Sequence, residues 1–304
     1  MTDTSSADET WPSVELIVLN WESYEDTAEC LDSLDALDYP NVRVVVVDNG
    51  STDGSGERLA EEFPEYEFIF NEENLGFAAG NNVGIRRAME RDADYVLLLN
   101  NDTVVTEGFL RPLVETAESG DRVAAVGGVN RYYHSDGIHN AGVRFPLALG
   151  GKTMLWDRPR GEEPYESDYV PSCLVLLSAE FIEQHDVLCE DYFIGMEDTD
   201  LAWQARQNGW KVLVDPRSVI YHKTGMTSSK SHFVVYHTLR NRFRFASNRL
   251  SSRQRVLFLA SLGIQLLGTV LLWAVRNHGD KIRAAKLALK DHVFDRQLRS
   301  YSQL

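Results

Sequence analysis

Over the first 130 residues, short branched-apolar runs alternate with stretches whose apolar positions recur every three or four residues. Residues 14–19 (VELIVL) read as a buried strand. Cys30, Leu31, Leu34 and Leu37 follow at helical spacing. Residues 43–48 (RVVVVD) are β-branched and predict a second strand. A helix should then open near Asp53 and close before Pro64. Residues 67–70 predict a short strand, residues 77–91 a helix reached through a glycine-rich loop, and residues 95–100 a further strand. Thr106 is placed to cap the next helix, and residues 123–129 predict another strand. Such alternation predicts an α/β fold, Rossmann-like, with a mainly parallel sheet and helices on both faces.

In such sheets ligands bind beyond the carboxyl ends of the strands. Three strand ends are conspicuously polar: DNGSTDG at 48–54, the approach to NLGFAAGNN at 74–82, and NNDT at 100–103. Turn chemistry alone favours Asn, Asp and Gly in any one loop. Three such loops on one sheet edge point instead to a ligand site. Asp48 and Asn49 offer a carboxylate and an amide for the edge of a base. Gly76, Gly80 and Gly84 permit close backbone approach, and a helix N-terminus favours anions. Packing of the helix against a strand is the competing reason for those glycines.

The series VELIVLNW, VVVVDNGSTDGS, NLGFAAGNNVGI, YVLLLNNDTVV and EDTDLAWQARQNGW resembles the family-two glycosyltransferases, in particular their rhamnosyltransferase-like branch. The likeness runs from Val14 to about Thr227. It implies a GT-A fold, an inverting single displacement and a nucleoside-diphosphate sugar donor. By that resemblance, Asp48, Asn49, Asn74, Gly76, Asn81 and Asn101 surround the nucleotide sugar.

The same resemblance makes Asp102 a ligand of Mg²⁺ or Mn²⁺, which neutralises the departing diphosphate. The family usually carries Asp-x-Asp here. This chain has Asn100-Asn101-Asp102, so one acidic position is missing. His222, after an apolar run, is a candidate second ligand. Inversion needs a carboxylate that takes the acceptor proton, and the resemblance assigns this to Asp198, with Glu197 beside it. A helix start lowers the basicity of Asp198, whereas crowding by Glu197 and Asp200 raises it. Asp200 and Arg206 read as structural supports. Trp156, Trp203 and Trp210 read as core residues before sugar-stacking ones. Residues 131–167 have no clear period and are expected to form acceptor-side loops.

Charge divides the chain. Residues 1–239 hold 17 basic and 43 acidic residues, whereas residues 240–304 hold 13 basic and three acidic. The acidic part argues against nucleic acid as a partner and fits a high-salt cell. Residues 256–275 carry no charge and would span roughly 30 Å as a helix, a bilayer core. Ser261, Gln265 and Thr269 form a polar stripe on it, and Arg249, Arg253, Arg255 and Arg276 flank it. Ile282, Ala285, Leu289 and Val293 read as the apolar face of a basic surface helix. The arginines and aromatics of residues 236–245 (YHTLRNRFRF) are candidates for contacts to diphosphate or lipid phosphate.

The expected organisation is a flexible acidic segment (1–12), a catalytic domain (13–235) and a basic helical region (236–304) with a candidate membrane helix (256–275). A membrane-directed region implies a lipid-linked acceptor, such as a glycan on polyprenyl phosphate, and a catalytic domain on the cytoplasmic side. With the acidity, this points to haloarchaeal surface-glycan assembly of the S-layer N-glycosylation kind. The three cysteines are odd in number and unpaired in spacing, fitting a reducing compartment. The polar N-terminus does not read as a secretory signal. A sugar nucleotidyltransferase would need a basic glycine-rich loop after the first strand, but Asn20-Trp21-Glu22-Ser23 follows Leu19. A silent glycan-binding scaffold would be expected to lack Asp102 or the Glu197–Asp198 pair.

Overall fold

A computed structural model describes residues 11–185, 187–223 and 232–296. Most of the acidic N-terminal segment and the Thr227 end of the family likeness lie outside the described residues. The chain opens with β1 (Val14–Asn20), α1 (Tyr24–Ser33), β2 (Val42–Asp48), α2 (Ser55–Glu62), β3 (Glu67–Phe70), α3 (Phe77–Met89) and β4 (Tyr95–Asn100). Then come β5 (Thr103–Val105), α4 (Leu110–Glu118), β6 (Val123–Tyr132) and four short strands: β7 (Ile138–Asn140), β8 (Val143–Arg144), β9 (Met154–Leu155) and β10 (Tyr165–Glu166). β11 (Leu174–Ser178), α5 (Ala179–Gln184), α6 (Glu197–Gln207) and β12 (Lys211–His222) complete the sheet region. Three helices follow: α7 (His232–Arg249), α8 (Ser252–Val275) and α9 (Gly279–Val293).

The main sheet runs β10-β12-β6-β11-β4-β1-β2-β3. β3, β2, β1 and β4 are mutually parallel, as are β6 and β12; β11 lies antiparallel between β4 and β6. Alternate residues of each strand enter two separate apolar layers. Ile17, Val45, Val47, Val96 and Leu98 pack with α3 and α6. Leu16, Val18, Val46, Leu97 and Leu99 pack with α1 and α4. Both faces are covered, so these strands read as unbroken apolar runs. Each such side chain contributes about 1.5–3 kcal/mol by leaving water.

Local details differ from the sequence reading. α1 stops at Ser33, and Leu34–Ala36 tightens into a 3₁₀ turn, so Leu37 falls beyond the helix. Thr106 does not cap α4, whose N-cap position is Phe109. Its Oγ1 donates to the Val219 carbonyl at 2.7 Å, tying the loop to β12.

α7 packs on the sheet region through Phe245, which meets Phe145 and Trp203 edge-on. α8 docks by one face only. Phe258 and Leu262 are buried, and Gln265 Nε2 donates to Leu149 O at 2.7 Å. Gly150 is required there, because a Cβ would come within 2.8 Å of the Leu262 backbone. The opposite face is bare: Ile264 is 72% exposed and Val275 82%. α8 is long and apolar enough to cross a membrane, with a mean hydropathy of 2.1 over its most apolar 18 residues. α9 turns Ala284, Ala285 and Ala288 inward and leaves Leu289 and Val293 exposed. The apolar stripe expected at 282, 285, 289 and 293 is thus split, because small residues let α9 approach α7 closely. Tyr236 OH also holds Asp291 Oδ2 at 2.9 Å.

Candidate active site

The carboxyl ends of β1, β2 and β4 lie together, in the register Asn20 to Asp48 and Leu19 to Asn100. Asp48 is buried. Its Oδ2 accepts from Asn20 Nδ2 at 2.7 Å, and its Oδ1 from Ser51 N at 2.9 Å. A Cβ on Gly56 would lie 2.6 Å from that carboxyl, so glycine lets α2 close over it. Asn49 spends both amide protons on Asn74 Oδ1 and Gly76 O, each at 3.1 Å. Its oxygen accepts from Asn71 Nδ2 at 3.0 Å and Leu75 N at 3.2 Å. Asn49 is therefore fully engaged within the protein, as a strut between β2 and the glycine loop.

Gly76 has φ +88°, and a Cβ there would meet Phe193 O at 2.5 Å. Phe77 N donates to the same carbonyl at 2.7 Å. The glycine loop is thus sewn to the segment leading into α6. Gly80 and Gly84 serve packing, since added Cβ atoms would strike Leu19 and Ile17. Asn81 is buried and donates to Phe77 O at 2.9 Å. Asn101 Nδ2 donates to Thr27 Oγ1 at 2.8 Å, and Thr27 donates to Asn20 Oδ1 at 2.8 Å. A polar chain therefore links the end of β4 to Asp48.

Next to Asn101, Asp102 Oδ1 lies 3.0 Å from His222 Nε2. The antiparallel register of β5 and β12 sets His222 opposite Thr103 and produces this meeting. The side chains are 15% and 13% exposed. His139 stands behind, its ring 5.6 Å from that of His222. Burial, then the neighbouring His222, lowers His139 from the ordinary imidazole value. Nδ1 of both rings is buried without a hydrogen-bond partner. Among the described residues, no group of three His, Cys, Asp or Glu converges as a metal cage. Asp102 and His222 offer one carboxylate and one imidazole, donors that would suit a divalent cation. Lys223, not singled out in the sequence, bridges Asp26 Oδ1 at 2.7 Å and Glu29 Oε2 at 2.5 Å beside this pair.

The carboxylate pair opens α6. Gly195 and Met196 take positive φ, +81° and +85°, turning the chain sharply before Glu197. Asn241 Nδ2, from α7, holds the carbonyls of Ile194 and Gly195 at 3.0 and 2.7 Å. Glu197 is buried, and its Oε2 has no partner. Asp198 is partly exposed, and its Oδ1 accepts from Thr199 N at 2.6 Å. Burial raises the pKa of both carboxyls, and the charge of Asp198 raises Glu197 further. Asp200 is fully buried and held by Arg249 through two bonds of 2.7 and 2.8 Å. Arg206 pairs with Asp168 at 3.0 Å.

β11 brings the two stations together. Cys173, the residue before it, accepts through its carbonyl oxygen from Asn100 N at 3.1 Å. Burial pushes its thiol up to about 12, and the charges of Asp102 and Asp198 both act in the same direction. Two carboxylates 96 positions apart in sequence thus act electrostatically on one thiol. Trp203 and Trp210 are core residues; Trp156 is half-buried, covering Gly142 and stacked under Arg160. Of the arginines in residues 236–245, Arg240 donates to Asp191 O and Arg296 O, and Arg244 pairs with Asp191 and Asp295, so neither is free for phosphate.

A family model described as Glycosyl transferase family 2 matches residues 13–170. The chain is 28% identical over 265 residues to the N-acetylglucosaminyl-diphospho-decaprenol L-rhamnosyltransferase of Mycobacterium tuberculosis, covering 78% of this chain and 82% of that one. It is 25% identical over 251 residues to the low-salt glycan biosynthesis hexosyltransferase Agl10 of Haloferax volcanii, covering 78% and 76%. Two solved structures share the GT-A fold at 18% identity. GalNAc-T7 with UDP, GalNAc and Mn²⁺ gives a TM-score of 0.65 over 79% of this chain and 49% of that one. The mannosyltransferase PcManGT of Pyrobaculum calidifontis, in complex with GDP-Man and Mn²⁺, gives 0.59 over 95% and 89%.

Proposed function

Because this chain belongs to glycosyl transferase family 2, we propose that it moves a sugar, with inversion, from a nucleoside-diphosphate donor to a hydroxyl of a lipid-linked glycan. The observation that carries this reading is that one short segment touches both groups: Ser172 lines the same small cavity as Asp198, and the Cys173 carbonyl accepts from Asn100 N, two residues before Asp102. Asp48 faces the nucleotide, and Asn49, Asn74 and Gly76 shape the loop that receives its ribose and diphosphate. Asn81 and Asn101 brace the same loops. Asp102 and His222 hold the divalent ion, Mg²⁺ or Mn²⁺. That ion supplies charge neutralisation for the departing diphosphate.

Asp198 takes the proton from the acceptor hydroxyl as that oxygen attacks the anomeric carbon. The bond to the diphosphate oxygen breaks on the opposite side, and the nucleoside diphosphate leaves. Burial makes Asp198 a stronger base than a surface aspartate. Burial, then the Asp198 charge, raises the pKa of Glu197, which favours its protonated form beside an ionised Asp198.

The lipid-linked acceptor is supported by the diphospho-decaprenol named for the mycobacterial relative and by the bare face of α8. Docked by Phe258, Leu262 and Gln265, α8 lies along the membrane surface with Ile264 and Val275 toward lipid. Nucleotide sugars are cytosolic, so the catalytic domain faces the cytoplasm. The acidic surface and the Haloferax relative support a surface-glycan pathway in a high-salt cell.

Calorimetry with UDP, GDP and dTDP, with and without Mn²⁺, tests the donor site; one nucleotide should bind, and more tightly with the metal. Absence of nucleotide binding, or binding indifferent to metal, overturns the reading. Asp198→Asn should lower kcat by roughly 10²–10⁴ while nucleotide affinity stays unchanged. Full turnover in that variant would assign the base elsewhere.

A further inference from the structure

Arg242 is the arginine of α7 for which the described residues supply no hydrogen-bond partner at a buried nitrogen. Its neighbours Arg240, Arg244 and Arg249 are bound to carbonyls or carboxylates. Arg242 Nε is buried and makes no hydrogen bond, and among the described residues no carboxylate lies in ion-pair range of it. A guanidinium stays protonated under ordinary conditions, so burying it unpaired is costly. Such a cost is offset when a bound anion completes the pair.

The surroundings of Arg242 say what kind of anion. It lines a groove of about 360 Å³ between α7 and α8. Val235, Leu239, Leu262, Leu266 and Trp273 make the walls largely hydrocarbon. A free phosphate would satisfy the guanidinium and leave these walls wet. An alkyl chain carrying a phosphate satisfies both.

The groove is also tied through α7 to the turn that opens α6. Asn241, the preceding residue, holds the carbonyls of Ile194 and Gly195 just before Glu197. Arg242 is thus next along α7 to the residue that anchors the turn into Glu197.

We propose that Arg242 and the α7–α8 groove hold the phosphate and the first isoprenoid units of a polyprenyl-phosphate-linked acceptor. This rests on the transferase reading above and adds the site where the lipid carrier lies. Arg242 fixes the anionic link between lipid and sugar, and Leu262, Leu266 and Trp273 receive the hydrocarbon.

Binding of geranylgeranyl phosphate to the full-length protein tests the site, with geranylgeraniol and inorganic phosphate as probes lacking one feature each. Tail and anion should act together: the phosphate ester binds at least about tenfold more tightly than the alcohol, as expected for a charge-assisted pair, and inorganic phosphate does not compete. Arg242→Gln should reduce the ester to the level of the alcohol, Arg242→Lys should restore part of the difference, and Leu266→Trp should weaken both isoprenoids by filling the groove. Nucleotide affinity should be the same in all three variants, which also shows that they are folded. Equal binding of ester and alcohol, an unchanged ester affinity in Arg242→Gln, or equal competition by phosphatidylglycerol vesicles overturns the proposal. A failure of the transferase reading would appear separately, as absent nucleotide binding in the wild type.

Discussion

Glu197→Gln should stabilise the protein at alkaline pH and leave it nearly unchanged at pH 5. In the folded chain Glu197 is buried, one carboxyl oxygen has no partner, and Asp198 lies next to it. Burial first, and then the Asp198 charge, raises its pKa. A raised carboxyl binds its proton more tightly folded than unfolded. Its contribution is therefore fully present below the unfolded value, about 4.3, and is lost as pH rises through the folded value. Each pH unit in that window removes about 1.4 kcal/mol, so two units remove about 3 kcal/mol. For a chain of this size that corresponds to a Tm change on the order of 5 °C. Glutamine has no proton to lose and escapes the penalty. Scanning fluorimetry at pH 5, 6.5 and 8 on both proteins reads the difference directly, because all other titrating groups are shared. Asp198→Asn should recover a smaller part of the same gain by removing the neighbouring charge. A Tm difference that is equal at pH 5 and pH 8, or a glutamine variant less stable at pH 8, would refute the reasoning.

Arg249→Ala strips the ion pair from fully buried Asp200 and should cost about 3–5 kcal/mol in urea unfolding; an unchanged midpoint would show the pair to be dispensable. His222→Ala should weaken Mn²⁺-dependent nucleotide binding by about tenfold or more with little effect on metal-free binding, both read by calorimetry. The double change Ile264→Glu and Leu271→Glu places charge on the bare face of α8 and should abolish flotation with anionic liposomes while preserving Tm. Continued flotation would mean that another surface holds the membrane.

The strands were legible because both faces of the sheet are covered, which makes β1, β2 and β4 continuous apolar runs. The polar ends of those strands were legible for the same topological reason. What local sequence could not reveal were partners set by distant register. Thr106 resembled a cap, but β12 lies close enough to take its hydroxyl. His139 fell in a stretch without period and reached the site only through the pairing of β7 with β6. Likewise, the arginines of α7 looked equivalent along the chain. Three-dimensional packing gave Arg240 and Arg244 partners and left Arg242 without one. Asn49 read as a base-recognising amide, whereas its four bonds to Asn71, Asn74, Leu75 and Gly76 spend it on loop architecture.

The excursion between Tyr132 and Leu174 leaves the sheet at the end of β6 and returns into β11, the strand hydrogen-bonded to β6. Its two anchor points are therefore neighbours, and its strands β7 and β10 add to the sheet along β6 and β12. Evolution can lengthen, shorten or replace such a segment without re-threading anything around it. Under the proposed function, acceptor preference would drift between relatives in this way while the nucleotide half, built from β1 to β4, stays as it is.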